Sequence, residues 1–403
     1  MSFLFSLALR NLTRNVKRSL LTSVAAIAGV ALMVLGFGMV DGLDENVIRT
    51  GIDTQSGHVL LRPGGYDMEA INHPIDGLEP VPAELLAQLS AGGGVFTERL
   101  LFDVKLIRGP DGLRATGLAV DPERDAKVFP RDKWTIDGAL PEGRQVLVGS
   151  RLGRILGVAV GDEVILQART SKGAQNALSV TVSGLVTTRS PAVDNNTVLM
   201  SMALADELVR APGPSQIALR LDHREDAFTM APRLEGLGGW RATTWREEAA
   251  DILAINDIRR SAIQLMVFML MAIAATGIAN TLIMAAYERV REVGALMAMG
   301  MSPRQVQAMF VMEGAAMGFV ASSLGVLIGG GYNYYLSTVG IDFSKAANFE
   351  SASFAFDLMF YTNFSLGPLI GGLVFGSMVA IFASFIPAST ASKLNPADAV
   401  RAD

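Results

Sequence analysis

The sequence predicts a membrane protein: four transmembrane α-helices, with one large extracytoplasmic α+β domain between the first and the second. Two observations carry that prediction. Of the 73 charged side chains, 55 lie in residues 41–260, a density ordinary for soluble domains. The remaining 183 residues hold 18, and among them stand four uncharged stretches that each exceed the roughly 20 residues needed to cross a hydrocarbon core. The composition also bounds function. A formal net charge of −5 excludes a nucleic-acid-binding chain held by bulk positive charge, and 50% apolar residues exclude a disordered chain or an ordinary soluble enzyme. Cysteine is absent, so the chain has no disulfide framework and no thiol chemistry.

Residues 1–19 are expected in the cytoplasm. Phe3, Leu4, Leu7 and Leu12 share one face of a short amphipathic helix suited to the inner leaflet. Arg10, Arg14, Lys17 and Arg18 follow without an acid; they serve as a topology signal or as a contact for anionic headgroups. The first span is residues 20–40. Its apolar run exceeds a signal peptide's core, and no small-x-small cleavage site precedes Asp41, so it reads as an anchor. The other spans are 261–287, 310–339 and 362–386, the last ending at Pro387. Basic residues set the orientation. Arg289, Arg291 and Arg304 lie in the loop 288–309, and Lys393 and Arg401 in the tail 387–403. Acids dominate after the first span (Asp41, Asp44, Glu45) and in the short loop 340–361 (Asp342, Glu350, Asp357). Both termini and residues 288–309 are therefore expected inside a bacterial inner membrane, and residues 41–260 outside it.

Residues 41–260 alternate short β-rich and helical runs. Gly57–Leu61, Arg114–Val120, Glu163–Ala168, Ser179–Val186 and Gln216–Leu221 read as strands. Pro82–Leu89, Ser150–Leu156, Met202–Val209 and Glu225–Leu234 read as helices, and Asp121-Pro122 as a helix start. The mixture fits an α+β domain of one or two subdomains, with Gln145–Thr188 its most β-rich part. The edges are more telling. The first span can continue as helix to Thr50, interrupted only by Gly42. Thr244 caps, with Glu247 three residues on, a helical pattern that no proline breaks from Trp245 to Tyr287. Two helices can thus rise as stiff stalks under the outer domain.

After the second span the sequence runs Glu288-Arg289-Val290-Arg291-Glu292-Val293-Gly294, then an apolar stretch with Met297, Met299 and Met301, then Gly300 and Ser302-Pro303. This is an amphipathic helix at the inner membrane surface, either a plain interfacial anchor or a partner-docking element with a flexible thioether surface. The run Glu288-Arg289-x-Arg291-Glu292-Val293-Gly294 with Met299-Gly300 resembles the signature of the FtsX/MacB-type permeases, the mechanotransmitting class of ABC transporters. Leu9-Arg10-Asn11-Leu12, Glu313-Gly314 and the tail Pro387-Ala388 to Ala397 are similar to it as well. Four spans with one domain of this size fit the lipoprotein-releasing LolC/LolE type and the MacB permease better than the cell-division FtsX.

The resemblance implies a permease subunit, paired with an identical or a different second permease and driven by a separate cytoplasmic ABC ATPase. Glu288, Arg289, Arg291, Glu292, Val293, Gly294, Met299 and Gly300 are carried over as its coupling residues. The expected output is release of lipoproteins to a periplasmic carrier. The alternatives are tripartite drug or peptide efflux through an adaptor, and regulation of an extracytoplasmic enzyme. The sequence contains no G-x-x-x-x-G-K-[S/T] phosphate loop, so the chain is expected not to be an enzyme and to leave ATP and Mg to its partner. It shows no hydrolase motif and no metal-ligand spacing, and His58, His73 and His223 are scattered.

Two smaller signals lie in the spans. Gly314 and Gly318, Gly325 and Gly329, Gly367 and Gly371, and Gly372 and Gly376 form pairs at four-residue spacing that permit close helix contacts within one subunit or across a pair. Glu313 at the inner end of the third span is either functional or merely solvated and capping.

Overall fold

The computed structural model describes residues 16–66, 73–188, 190–288, 290–342 and 359–392. The N-terminal amphipathic helix, Leu9–Leu12 and the tail beyond Ser392 lie outside them. The described residues form two compact units, one helical (up to Glu45, 254–342 and from Met359) and one mixed (Asn46–Leu253). The boundaries fall five to seven residues inside the expected 41–260, because the stalk turns next to the membrane belong with the helices.

Among the described residues, four helices are long and apolar enough to cross a membrane. They are α1 (Val16–Gly51), and, after the head, the long helices Ala250–Glu288, Pro303–Val339 and Leu366–Ser392. At ~1.5 Å per residue the first three are ~54–58 Å long, well beyond a ~30 Å hydrocarbon core, so each outruns its uncharged span. Two expectations are corrected here. Gly42 does not interrupt α1; it admits the backbone of the segment before the fourth span, and a Cβ there would stand 2.8 Å from the Thr362 Cα. Pro387 does not end the fourth helix, which runs on to Ser392 with Pro387, Ala388 and Ala391 buried against neighbours, a setting in which proline is tolerated inside a membrane helix.

The first span is the hub of this unit. Val30, fully buried, packs with Val267 and Met271 of the second span. A Cβ on Gly325 of the third span or Gly376 of the fourth would stand 2.8 and 2.7 Å from its side chain. Tyr332, Tyr334 and Tyr335 are exposed at the outer end of the third span, Tyr334 edge-on to Phe364 at 5.5 Å. Such aromatics suit the membrane–water interface.

In the head, the strands are β1 (Val59–Pro63), β2 (Val95–Arg108), β3 (Asp111–Val120), β4 (Thr135–Gly138), β5 (Gln145–Gly149), β6 (Glu163–Arg169), β7 (Gln175–Thr187), β8 (Thr197–Ser201), β9 (Gln216–Arg220) and β10 (Trp240–Thr244). Their order is β10-β1-β9-β2-β3-β8-β5-β7-β4, and β6 joins β7 back to β2, closing a ring of six strands. The pairs β3–β8 and β5–β7 are parallel. Leu100, Phe102, Val104 and Leu106 alternate along β2 and fill the ring with Val146, Val148, Leu166 and Val182. A second core lies where β9, β1 and β10 meet the helices α2 (Ala83–Ala91) and Ala227–Leu234; it holds Leu85, Leu89, Leu234 and Trp240. Phe96 of β2 packs against this second core, a third cluster holds Leu60, Leu118, Phe129, Leu147 and Leu199, and Gln145–Thr188 supplies three strands of the ring. Asp121 caps α3 (Pro122–Val128), accepting from the amides of Glu123 and Arg124 at 3.0 and 3.2 Å.

Thr244 caps as expected, with Glu247 returning to its amide at 3.0 Å. The helix it starts, Trp245–Glu248, is one turn long; Ala249 leaves helical geometry (φ −90°, ψ 2°) before the second membrane helix begins at Ala250. The expected unbroken helix from Trp245 therefore has a joint. Its hydrogen-bond ladder persists across that joint through Ala249 N–H to Trp245 O (3.1 Å) and Leu253 N–H to Ala249 O (2.9 Å).

Candidate functional site

The segment after the second membrane helix folds as a nine-residue helix, Val290–Ala298, followed by a turn. Its spacing gives it two faces. Val293 and Gly294 are buried, and Val293 joins Ala286, Val306, Met309, Phe310, Ala388 and Ala391 in a cluster where the second and fourth membrane helices end and the third begins. Met297 and Met301 pack against the same cluster. The opposite face presents Arg291, Glu292, Ala295 and Ala298, with Met299 77% exposed beyond the helix end. The expected methionine surface therefore reduces to one residue, because the other two face the core.

The turn explains two further residues. Gly300 has φ +105°, a conformation that strains any residue with a Cβ. Its N–H donates to Met297 O at 3.0 Å, and Met301 N–H reaches Leu296 O at 3.0 Å, the paired bonds that close a helix through a left-handed glycine. Ser302 N–H donates to the Gln305 side chain at 2.8 Å, and Pro303 starts the third membrane helix. The short helix thus lies between two long helices, with a tight turn fixing its exit. Glu288 is exposed at the end of the preceding helix, and Arg289 lies outside the described residues.

Most of the membrane residues singled out in the sequence turn inward; Gly367 does not, being exposed with nothing within 4 Å of a Cβ there. A Cβ on Gly314 would meet Ser384 at 2.5 Å, one on Gly318 would overlap Ala380, and one on Gly329 would stand 2.8 Å from Ala31. These glycines, like Gly325, face helices of the same chain. Glu313 is 5% exposed, so it is not a solvated cap.

A constellation not singled out in the sequence lies at the outer end of the first two spans. Arg260 donates to Asp41 at 2.6 Å and stands 3.6 Å from Asp44, and Asn256, buried, donates to Asp44 at 2.5 Å. The signal was present: acids follow the first span where bases precede the second. Asp41 and Asp44 are legible in the sequence as a topology signal, whereas their pairing with Arg260 and Asn256 is not. Among the described residues no group of three or more His, Asp or Glu side chains is placed to hold a metal ion. The helix Val290–Ala298 thus has buried residues on one side and an exposed face on the other.

Comparison with known proteins bears on what that element serves. Residues 265–396 match the family model of the FtsX-like permease C-terminal region, and residues 19–237 that of the MacB-like periplasmic core domain. The lipoprotein-releasing system transmembrane protein LolC of Xylella fastidiosa is 24% identical over 400 residues, covering 94% of this chain and 93% of that one. The macrolide export ATP-binding/permease protein MacB of Bartonella quintana is 22% identical over 440 residues, covering 99% of this chain and 59% of its own length. The crystal structure of the periplasmic region of MacB from Actinobacillus actinomycetemcomitans aligns at a TM-score of 0.35 and 12% identity, over 51% of this chain and 97% of that one. The two family models meet the four spans and the head in the order the fold requires, and on them the chain belongs to the FtsX-like ABC transporter permeases that carry a MacB-like periplasmic core domain.

Proposed function

We propose that this permease passes the work of ATP hydrolysis by a separate cytoplasmic ABC ATPase to its head domain, and that the output is release of lipoproteins from the bacterial inner membrane. Both termini and the lever Val290–Ala298 lie in the cytoplasm, and the head lies in the periplasm. The exposed face of the lever seats on the ATPase through Arg291, Glu292 and Met299. A second permease chain covers the exposed stripe of the second membrane helix (Met269, Ile273, Met284), and a periplasmic carrier receives the cargo. The observation that carries this reading is the match to LolC over nine-tenths of both chains, which spans lever, spans and head together.

Export of a drug or peptide through an adaptor is the second reading, favoured by the MacB relative that covers 99% of this chain. One experiment separates them. The chain is purified with whatever ATPase accompanies it, reconstituted with a labelled lipoprotein, and supplied with ATP. Release of the lipoprotein to a soluble carrier supports the first reading. ATP hydrolysis without release, stimulated instead by an adaptor and a small amphiphile, supports the second.

A further inference from the structure

Helix α1 ends in an unusual way inside the head. Its last turns widen into a π-helical turn, Ile52–Ser56, in which Ile52, Asp53, Thr54 and Ser56 are buried. Such turns are rare and frequent at functional sites. A helix C-terminus leaves carbonyl oxygens unpaired and carries partial negative charge. Here one of them is met by a buried cation: Arg99 of β2, 1% exposed, donates from Nη1 to Thr54 O at 2.9 Å. The rest of the guanidinium is fixed from two sides. Nε and Nη2 form a fork on Asp125 of α3 at 2.7 and 3.2 Å, and the group lies 3.3 Å over the ring of Phe129. Asp125 has no exposure and takes a third bond from Arg131 at 2.9 Å.

The neighbouring residue repeats the pattern. The Asp53 carboxylate accepts from Arg220 of β9 at 3.1 Å and from Lys133 at 2.5 Å. Then His58 ties the exit: its carbonyl accepts from Trp245 N–H at 3.0 Å, the first residue of the turn that leads to the second membrane helix. Both strands of chain that enter the head from the membrane are therefore joined to each other and to β2 and β9 within a few residues.

Stability alone does not call for this. Taking a guanidinium and a carboxylate out of water costs several kcal/mol each, and apolar side chains of similar volume serve packing as well or better. What the fork adds is direction. An apolar contact slides under load, whereas a bidentate ion pair that also grips a backbone carbonyl resists pull, push and rotation at one point. We infer that Arg99 and Asp125 form a clasp between the end of the first membrane helix and the head's sheet, as positioning residues through which movement of that helix reaches the sheet. This rests on the proposed coupling to ATP hydrolysis.

The test uses the full complex with its ATPase in lipid nanodiscs. Deuterium uptake is compared, peptide by peptide, between nucleotide-free and vanadate-trapped states. The wild type is expected to change uptake both in α1 near residues 41–51 and in strands β2 and β9. The pair Arg99→Met with Asp125→Asn removes the charges and leaves Arg131 an acceptor. It should keep its melting temperature and ATPase rate and keep the change in α1, while the change in β2 and β9 is lost. If that variant does not fold, Arg99→Lys serves; it retains the charge but loses the bidentate fork on Asp125, and the same loss is expected. A variant that folds and transmits as the wild type does overturns the clasp. A wild type with no nucleotide-dependent change in the head overturns the coupling reading itself, and the clasp falls with it.

Discussion

At the scale of single residues, two positions have consequences fixed by their backbone or burial. Gly300 closes the lever at φ +105°, where a Cβ costs ~1–3 kcal/mol of strain. Gly300→Ala is expected to shift the lever and lower the ATPase rate of the assembled complex, while the head's melting transition, followed separately, stays in place. His58 is 6% exposed, and burial, reinforced by Arg220, pushes its pKa below the ordinary 6.5. Its Nδ1 accepts from Leu221 N–H at 3.1 Å, so the native state holds the neutral ring. The unfolded chain then binds the proton more readily than the native one. Stability is therefore complete above about pH 6.5 and declines as pH falls below it. Melting temperatures between pH 7.5 and 5 should fall, and fall less in His58→Gln; equal slopes would remove His58 from this account.

Between elements, the decisive quantity is how closely helices approach. Gly318 leaves no room for a Cβ beside Ala380, and packing supplies most of the attraction between helices in lipid. Gly318→Leu overpacks that contact and is expected to cost ~1–3 kcal/mol. Unfolding in mixed detergent would show it as a lowered midpoint, whereas Gly331→Leu, where nothing lies within 4 Å, should be close to neutral. The helices themselves were legible from uncharged length, and Ser150–Leu156 and Met202–Val209 matched their predicted bounds. Strand β2 was not. Leu100, Phe102, Val104 and Leu106 do alternate there with Asp103 and Lys105, but Arg99, on the charged side of that alternation, is buried. Sequence pattern reads a charge as solvent-facing, and only the partner from α3 reverses that.

For the whole molecule, the prediction concerns coupling. Glu292 faces outward and Gly294 inward on the same lever, so they test its two faces separately. Glu292→Ala should weaken ATPase stimulation in the co-purified complex while leaving the bundle's stability unchanged. Gly294→Leu should disturb the inner cluster around Val293 and lower both. Wild-type activity with intact assembly in the two variants would remove the lever from the transmission path.

The sequence by itself determined the four spans, the place of the head and the short helix between the second and third spans. These follow from runs of residues whose free energy in lipid or water is set one residue at a time. It also carried the family's motif, because that motif is contiguous. Only the tertiary structure decided which methionines face inward, that Gly314, Gly318, Gly325 and Gly329 meet helices of their own chain, and that Arg99 ends a helix 45 residues away. Each of those depends on a partner distant in sequence, and a charge, a glycine or a thioether has no fixed role until that partner is in place.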